Sequence, residues 1–275
     1  MGFVTRFAPS PTGYLHLGHA FSALTAFDAA QAAGGVFLLR IEDLDQGRCR
    51  PAFEEAIFED LAWLGLRWPA PVLRQSEHVA RYQAALERLA GLGLVYRCFK
   101  TRKELMEEAA GAPHGPGDAF VGAALPEAEE RARLAQGQAF AWRLSLAACQ
   151  AHLGSGWDQL SFEADGAMVK AEPGLLGDVI LGRKDFPASY HLASVLDDAA
   201  QGVTDVIRGE DLREAAHLHV LLQALFGLPT PRYRHHRLIL GADGKRLAKR
   251  DQAATLRSLR EAGKTPADVR QLLGL

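Results

Sequence analysis

The sequence is poor in cysteine: Cys49, Cys98 and Cys149 lie far apart and form no CxxC pair, which excludes a disulfide framework and the common paired-thiol motifs. It also lacks an excess of either charge, with 31 Lys and Arg against 33 Asp and Glu and a formal net charge of −2. Bulk cationic attraction to nucleic acid is therefore excluded, although basic residues gathered on one face can still hold an RNA. No apolar run approaches the roughly 20 residues that a membrane-crossing helix needs. The stretch from Met1 to Ala8 lacks the basic patch and apolar run of a signal peptide. A cytoplasmic protein is expected. What is present is the composition of a folded chain, 48% hydrophobic and 23% charged over 275 residues. That length suits one large α/β domain, or one domain carrying an insertion.

Hydrophobic spacing predicts a strand at Phe3–Ala8, ended by Pro9, Pro11 and Gly13, and a helix from Leu17 past Phe27 to Gly34 and Gly35. A strand at Val36–Ile41, helices at Pro51–Leu64 and Val79–Leu92, and a strand at Leu94–Cys98 follow. Strands alternating with helices in this way predict a parallel sheet with right-handed crossovers. The pattern breaks at the Gly/Pro-rich stretch Gly111–Gly117 and a charged helical segment, Pro126–Gln136; Ala141–Leu146 and Ser161–Val169 read as strands of a separate small sheet. Sheet-like runs resume at Val179–Leu181 and Val203–Arg208, then a helix at Glu214–Phe226 and the run Arg237–Leu240. The expected division is a core of 1–97 and 171–245, an insertion at 98–170, and a loop and short helical tail at 246–275, with Pro266 starting a helix.

Arg6-Phe-Ala-Pro-Ser-Pro-Thr-Gly-Tyr-Leu-His-Leu-Gly-His19 places prolines and a glycine between a strand and a helix, then His16 and His19 at the helix entrance. Free N–H groups there carry positive potential that suits a phosphate. Gly18 keeps a side chain out of the nucleotide's way, and two imidazoles can donate to phosphate oxygens. Taken alone, His-x-Gly-His also fits a turn whose histidines merely cap the helix. Late in the chain, Gly241-Ala-Asp-Gly-Lys-Arg-Leu-Ala-Lys-Arg250 is a glycine-led basic loop, either a solvated surface or a cover for a nucleotide. Arg40-Ile-Glu-Asp-Leu-Asp45 ends a strand, where open α/β sheets bind ligands; Asp43 and Asp45 fit helix capping as well.

The first string resembles the HIGH signature of class I glutamyl-tRNA synthetases in its RFAPSPTGxLHxG form. The loop is similar to their KMSKS signature, with Arg246 and Ala248 replacing a lysine and a serine, and Lys249 matching the second lysine. Arg40–Asp45 resembles RIEDTD, Asp185–Asp198 a central strand-to-helix segment, and Gly202–Asp211 the string GITHVIRGEDL. The resemblance implies an α/β, Rossmann-like class I synthetase core with a parallel sheet and a small inserted α+β domain. It implies L-glutamate and ATP as substrates with Mg²⁺, and a tRNA as acceptor. His16, His19 and Lys249 would act at the phosphates, with Gly18 and Arg246 beside the ATP. Arg6, Phe7, Ala8, Pro9, Ser10, Glu42, Tyr190 and Arg208 would form the glutamate pocket, Glu42 on the ammonium group. An arginine fork matches a side-chain carboxylate and disfavours glutamine. Tyr190 as a core aromatic, and Arg208 paired with Glu210 or Asp211, remain alternatives.

Only 25 residues follow Arg250, so no helical anticodon-binding region is expected. That length resembles the glutamyl-Q tRNA(Asp) synthetases, which attach glutamate to the queuosine base of tRNA-Asp. A truncated or discriminating glutamyl-tRNA synthetase and a non-catalytic, synthetase-like binding protein are the rival readings. In Tyr96-Arg-Cys-Phe-Lys100, Lys100 stands at a second cysteine of the family's zinc pattern, and only His114 follows nearby. Tetrahedral structural zinc needs four ligands, so no zinc is expected and Cys98 reads as a buried thiol. His217, His219, His235 and His236 read as surface or RNA contacts, and Arg48, Arg50, Arg232, Arg234 and Arg237 as candidate phosphate contacts. A monomer is expected.

Overall fold

Pro9 and Pro11 lack the N–H groups that would extend the first strand, so the chain turns there and enters a 16-residue helix. The computed structural model describes residues 2–101, 104, 120–183, 187–239 and 254–275. Strand β1 (Val4–Phe7), helix α1 (Leu17–Ala32), β2 (Val36–Ile41), α2 (Pro51–Trp63) and β3 (Leu73–Arg74) form a parallel sheet in the order β1-β2-β3. Proline at the first turn suits α2, because that N–H has no intrahelical partner. After α3 (Val79–Gly91), strand β4 (Val95–Cys98) pairs antiparallel with β5 (Ala141–Leu144), which pairs with β8 (Ile180–Arg183).

That pairing corrects the expectation that Leu94–Cys98 extends the parallel sheet. The third parallel strand is β3, only two residues long and therefore without a periodic signal. The sheet β4-β5-β8 takes strands from both sides of the boundaries expected at 97 and 171. Helices α4 (Glu127–Ala135), α5 (Leu146–Leu153) and α6 (Ser155–Asp158) lie between its strands in sequence. Nor do Ala141–Leu146 and Ser161–Val169 share a sheet. The latter is a hairpin, β6 (Ser161–Ala164) and β7 (Ala167–Lys170), turned at Asp165 and Gly166, both with positive φ. Asp-Gly is the pair that such two-residue turns favour.

The chain then re-enters the parallel layer through α7 (Tyr190–Ala200), β9 (Asp205–Gly209), α8 (Arg213–Phe226) and β10 (Arg232–His236). Strand β10 runs parallel to β9 and touches β6 at Tyr233 and Ala164. Val4 and Thr204 join the two halves: the Thr204 N–H donates to the Val4 carbonyl at 2.9 Å, and the Val4 N–H to Thr204 Oγ1 at 2.9 Å. The resulting lateral order, β3-β2-β1-β9-β10, reverses direction between β1 and β9. In open α/β sheets, ligands bind at such a switch point, beyond the carboxyl ends of the strands.

Two apolar cores flank these layers. One gathers Phe21, Leu24, Leu39, Ile57 and Leu61 beneath α1 and α2, and Leu256, Val269 and Leu273 of the tail complete it. The other gathers Leu89, Leu144, Leu181, Leu192, Leu221 and Tyr233. The tail forms α9 (Leu256–Glu261) and α10 (Pro266–Leu273), the latter starting at the expected proline with a Thr265–Asp268 capping box. Arg270 clamps α10 to α1 through two 2.8 Å bonds to Asp28. Among the described residues, no helix is long and apolar enough to cross a membrane.

Candidate active site at the carboxyl ends of the strands

A cavity of about 460 Å³ opens at the switch point, and Arg6, Phe7, Ala8, Pro9, Ser10, His16, Gly18, His19, Glu42, Tyr190 and Arg208 all line it. The described part of the expected site is therefore brought together from β1, the loop after it, α1, β2, α7 and β9. Arg246, Ala248 and Lys249 lie outside the described residues, as does His114. Ile239 lines the cavity, and the Leu256 N–H donates to the Leu15 carbonyl at 2.8 Å beside a His16–Thr255 bridge. The described residues nearest either end of 240–253 thus stand at the entrance of α1.

His16 is the N-cap of α1. Its Nδ1 accepts the Gly18 N–H at 3.1 Å, while the His16 N–H donates to His19 Nδ1 at 3.2 Å. This reciprocal cap is the helix-capping reading of His-x-Gly-His. With both Nδ1 atoms accepting, the neutral rings carry their protons on Nε2, and an Nε2–H is a hydrogen-bond donor. The ring centroids lie 3.8 Å apart with the planes tilted by 37°. A Cβ on Gly18 would lie 3.0 Å from His16 Cε1, so glycine here also protects the cap. The loop before it is held by the Glu42 N–H donating to the Pro9 carbonyl and the Arg50 N–H to the Pro11 carbonyl, each at 3.0 Å.

The arginines divide into two groups. Arg6, 5% exposed, donates to Asp198 at 2.9 and 3.3 Å, and the fully buried Arg40 reaches Asp198 at 2.6 Å and Glu42 at 3.1 Å. Burial works to raise the Asp198 carboxyl, yet Arg6 and Arg40 together hold it below the usual carboxylate range. Glu42 is pushed the other way: burial raises it against the pull of Arg40 and Arg6. Asp198 had no place in the sequence-level site, because it meets Arg6 across 192 positions.

Arg208 is different. It is 4% exposed, and among the described residues no carboxylate lies within 4.0 Å of its guanidinium. The alternative pairing with Glu210 or Asp211 is not formed. Instead it donates to His235 Nε2 at 3.4 Å, Tyr190 Oη at 3.3 Å, His219 Nδ1 at 3.3 Å and the Leu212 carbonyl at 2.9 Å. Burial, with Arg208 adding to it, pushes His191 and His235 down to about 4 and His219 well below the usual imidazole range. These rings are neutral at pH 7. Tyr190 is half-buried at the cavity wall, not a packed core aromatic.

Other expectations change. His219 is 2% exposed and packs beside Arg208, which removes it from the surface contacts. His236 and Arg237 line the cavity, as do Asp211 and Leu238, none of which the sequence-level site included. Arg232 is held by Asp205 through bonds of 2.8 and 2.9 Å, and Arg48 pairs with Asp45, so both guanidiniums already have carboxylate partners. Cys98 is buried, as expected of a structural thiol. Gln75, Ser189 and Gly182 help to line a second cavity of about 310 Å³ that shares Ser10, Glu42 and Tyr190 with the first.

A switch-point cavity with a helix entrance capped by two histidines on one side and, on the other, an arginine without a carboxylate partner among the described residues suits an anionic nucleotide beside an anionic small substrate. Residues 3–275 match the catalytic domain of the class I tRNA synthetases of the E and Q type, and the chain belongs to that family of ligases. It is 49% identical to the glutamyl-Q tRNA(Asp) synthetase of Rhodobacter capsulatus, covering 99% of this chain and 100% of that protein. The enzyme of the same name from Nocardia farcinica is 44% identical, over 99% of this chain and 84% of its own. A crystal structure of a glutamate tRNA ligase from Elizabethkingia meningosepticum, in complex with its amino acid, superposes with a TM-score of 0.74 at 32% identity. It covers 91% of this chain, which spans 52% of that ligase.

Proposed function

We propose that this enzyme activates L-glutamate with ATP and transfers the glutamyl group to the queuosine base of tRNA-Asp. The carrying observation is Arg208, a buried guanidinium facing the cavity with only neutral partners among the described residues. A buried charge without a counter-ion is costly, and a substrate carboxylate supplies the missing one. Glutamine, which is neutral, leaves Arg208 uncompensated and is rejected. Glu42 takes the α-ammonium, and Ser10 and the backbone of Phe7–Pro9 wall the space between them. Arg6 acts from its seat on Asp198.

In this reading the α-carboxylate attacks the α-phosphate of ATP, giving glutamyl-adenylate and pyrophosphate. No side chain forms a covalent bond. Alignment and positive groups carry the catalysis: the Nε2–H groups of His16 and His19, the N-terminus of α1, and, on the sequence pattern, Lys249 with Arg246. Gly18 leaves room at the helix entrance. Among the described residues, no cluster of three or more His, Cys, Asp or Glu fits a resident metal ion. Mg²⁺ is taken to arrive on the triphosphate as part of the substrate, where it neutralises phosphate charge. Acceptor choice follows the likeness to the Rhodobacter capsulatus enzyme, which runs the full length of that protein. We take the enzyme to act in the cytoplasm as a monomer.

The test is transfer of labelled glutamate, with ATP, to tRNA from cells with and without queuosine. Label confined to queuosine-containing tRNA is expected. Label on both would return the chain to ordinary glutamyl-tRNA synthesis, and label on neither would make it a binding protein.

A further inference from the structure

Arg208 sits at the head of a hydrogen-bond relay whose polarity can be worked out without seeing a hydrogen. A guanidinium has no acceptor atom, so in the 3.3 Å contact of Arg208 with His219 Nδ1 the arginine is the donor. His219 Nδ1 is thereby bare, and the neutral ring carries its proton on Nε2. That atom lies 3.2 Å from His191 Nδ1, which accepts it. The tautomers of both rings are set in one direction, away from the arginine. His219 is 2% exposed on α8 and His191 sits on α7, so the relay also joins the two helices that flank Arg208.

The partners of Arg208 share one property. Two imidazoles, a phenol and a backbone carbonyl account for four of the five N–H groups that a guanidinium carries. They fix its direction while leaving its charge intact. Arg6 and Arg40 show the alternative solution in the same site, since carboxylates orient both and neutralise them in doing so. A carboxylate would also have oriented Arg208, at the expense of the charge that selects the substrate.

We infer that His219 is the specificity-determining positioning residue of this enzyme. It is a neutral acceptor that aims Arg208 at the γ-carboxylate without competing for its charge, and replacing it by an acid abolishes the preference for glutamate over glutamine. The inference rests on the glutamate reading above and adds a residue that need not touch substrate at all.

Asparagine and aspartate test it, because they have the same shape and differ in charge. In His219→Asn the side-chain oxygen can stand where Nδ1 stood, so orientation and charge both survive. In His219→Asp the orientation survives and the charge is cancelled. Amino-acid-dependent ATP–pyrophosphate exchange, run with glutamate and with glutamine, gives KM and kcat for each, with thermal melting as the folding control. The same tRNA is included in every arm.

His219→Asn should keep the glutamate KM within about fivefold of the parent, as expected for one retained buried acceptor. His219→Asp should raise the glutamate KM on the order of 100-fold, as expected for like charges brought together in a buried site. The KM for ATP should hold, and most of the preference over glutamine should be lost. A folded aspartate variant with the parent's glutamate KM overturns the inference and leaves the glutamate reading standing. Equal losses in both variants, in KM and kcat together, reduce His219 to a packing residue and also overturn it. A parent enzyme whose exchange does not depend on glutamate overturns both.

Discussion

Replacing Asp198 by asparagine tests the buried charge network on which the site is built. Asp198 accepts three hydrogen bonds, two from Arg6 and one from Arg40, with its side chain 8% exposed and that of Arg40 fully buried. Asparagine preserves the shape, but its amide turns one side of the contact into donor against donor. Two buried guanidiniums then share Glu42 as their nearest remaining counter-charge. Breaking a buried ion pair by removing one partner costs about 3–5 kcal/mol. Because the substitute keeps one acceptor oxygen, about 3 kcal/mol is expected here. Urea unfolding at pH 7 gives this as a lower midpoint at unchanged slope. The sign with pH follows from the direction of the shift. Asp198 is held below the usual carboxylate range in the folded state, so its contribution is complete above the unfolded value near 4 and fades as pH falls through the folded one. The gap between parent and variant should therefore narrow in acid. A loss of less than about 1 kcal/mol at pH 7, typical of an exposed pair, would refute the claim that this carboxylate organises β1, β2 and α7.

Three further outcomes are expected. His16→Asn keeps a side-chain cap for Gly18 but loses the Nε2 donor; pyrophosphate exchange should fall by about 10²–10³ with little change in melting, and an unchanged rate would remove His16 from the chemistry. Lys249→Ala, argued from the sequence pattern alone, should lower the same rate by a similar factor of about 10²–10³ while glutamate KM moves less. Asp60 is fully buried with neither oxygen hydrogen-bonded, and burial, only partly offset by Arg260, pushes it up to about 6. A raised carboxyl opposes folding above that pH and ceases to do so as pH falls toward the unfolded value, so Asp60→Asn should stabilise at pH 8 by up to about 3 kcal/mol and change little near pH 4, as measured by urea unfolding at both.

The parts of this protein that were legible in the sequence are those whose information is local. The prolines after β1, the histidines opening α1 and the proline at the start of α2 each act within a few residues of themselves, so spacing and residue type are enough to place them. Strand β3 was missed because two residues have no periodicity, and β4 was assigned to the wrong sheet because nothing in Val95–Cys98 distinguishes a parallel neighbour from an antiparallel one. Asp165-Gly166 did carry a local signal for its hairpin, and reading Ser161–Val169 as continuous strand passed over it. The expectation for His219 failed for a different reason. A histidine's burial depends on what faces it, and here that is Arg208, eleven positions away on another element.

The arrangement of charge in the cavity is the least local feature and carries the most function. Arg6 and Arg208 line the cavity and Arg40 lies buried behind it, and residue type alone does not distinguish the three. Contacts with residues 158 and 192 positions away tie Arg40 and Arg6 to Asp198, which holds the strand ends together and leaves those two guanidiniums largely compensated. Arg208, on the neighbouring strand, has among the described residues no carboxylate partner, and burial keeps the imidazoles of His191, His219 and His235 beside it uncharged. In the proposed reading the same residue type serves as scaffold in two positions and as selector in the third, and the difference lies in whether the acceptor that orients it carries a charge. A carboxylate substrate gains most from the third, because it alone brings the missing counter-ion, and a neutral analogue of the same shape gains only the hydrogen bonds.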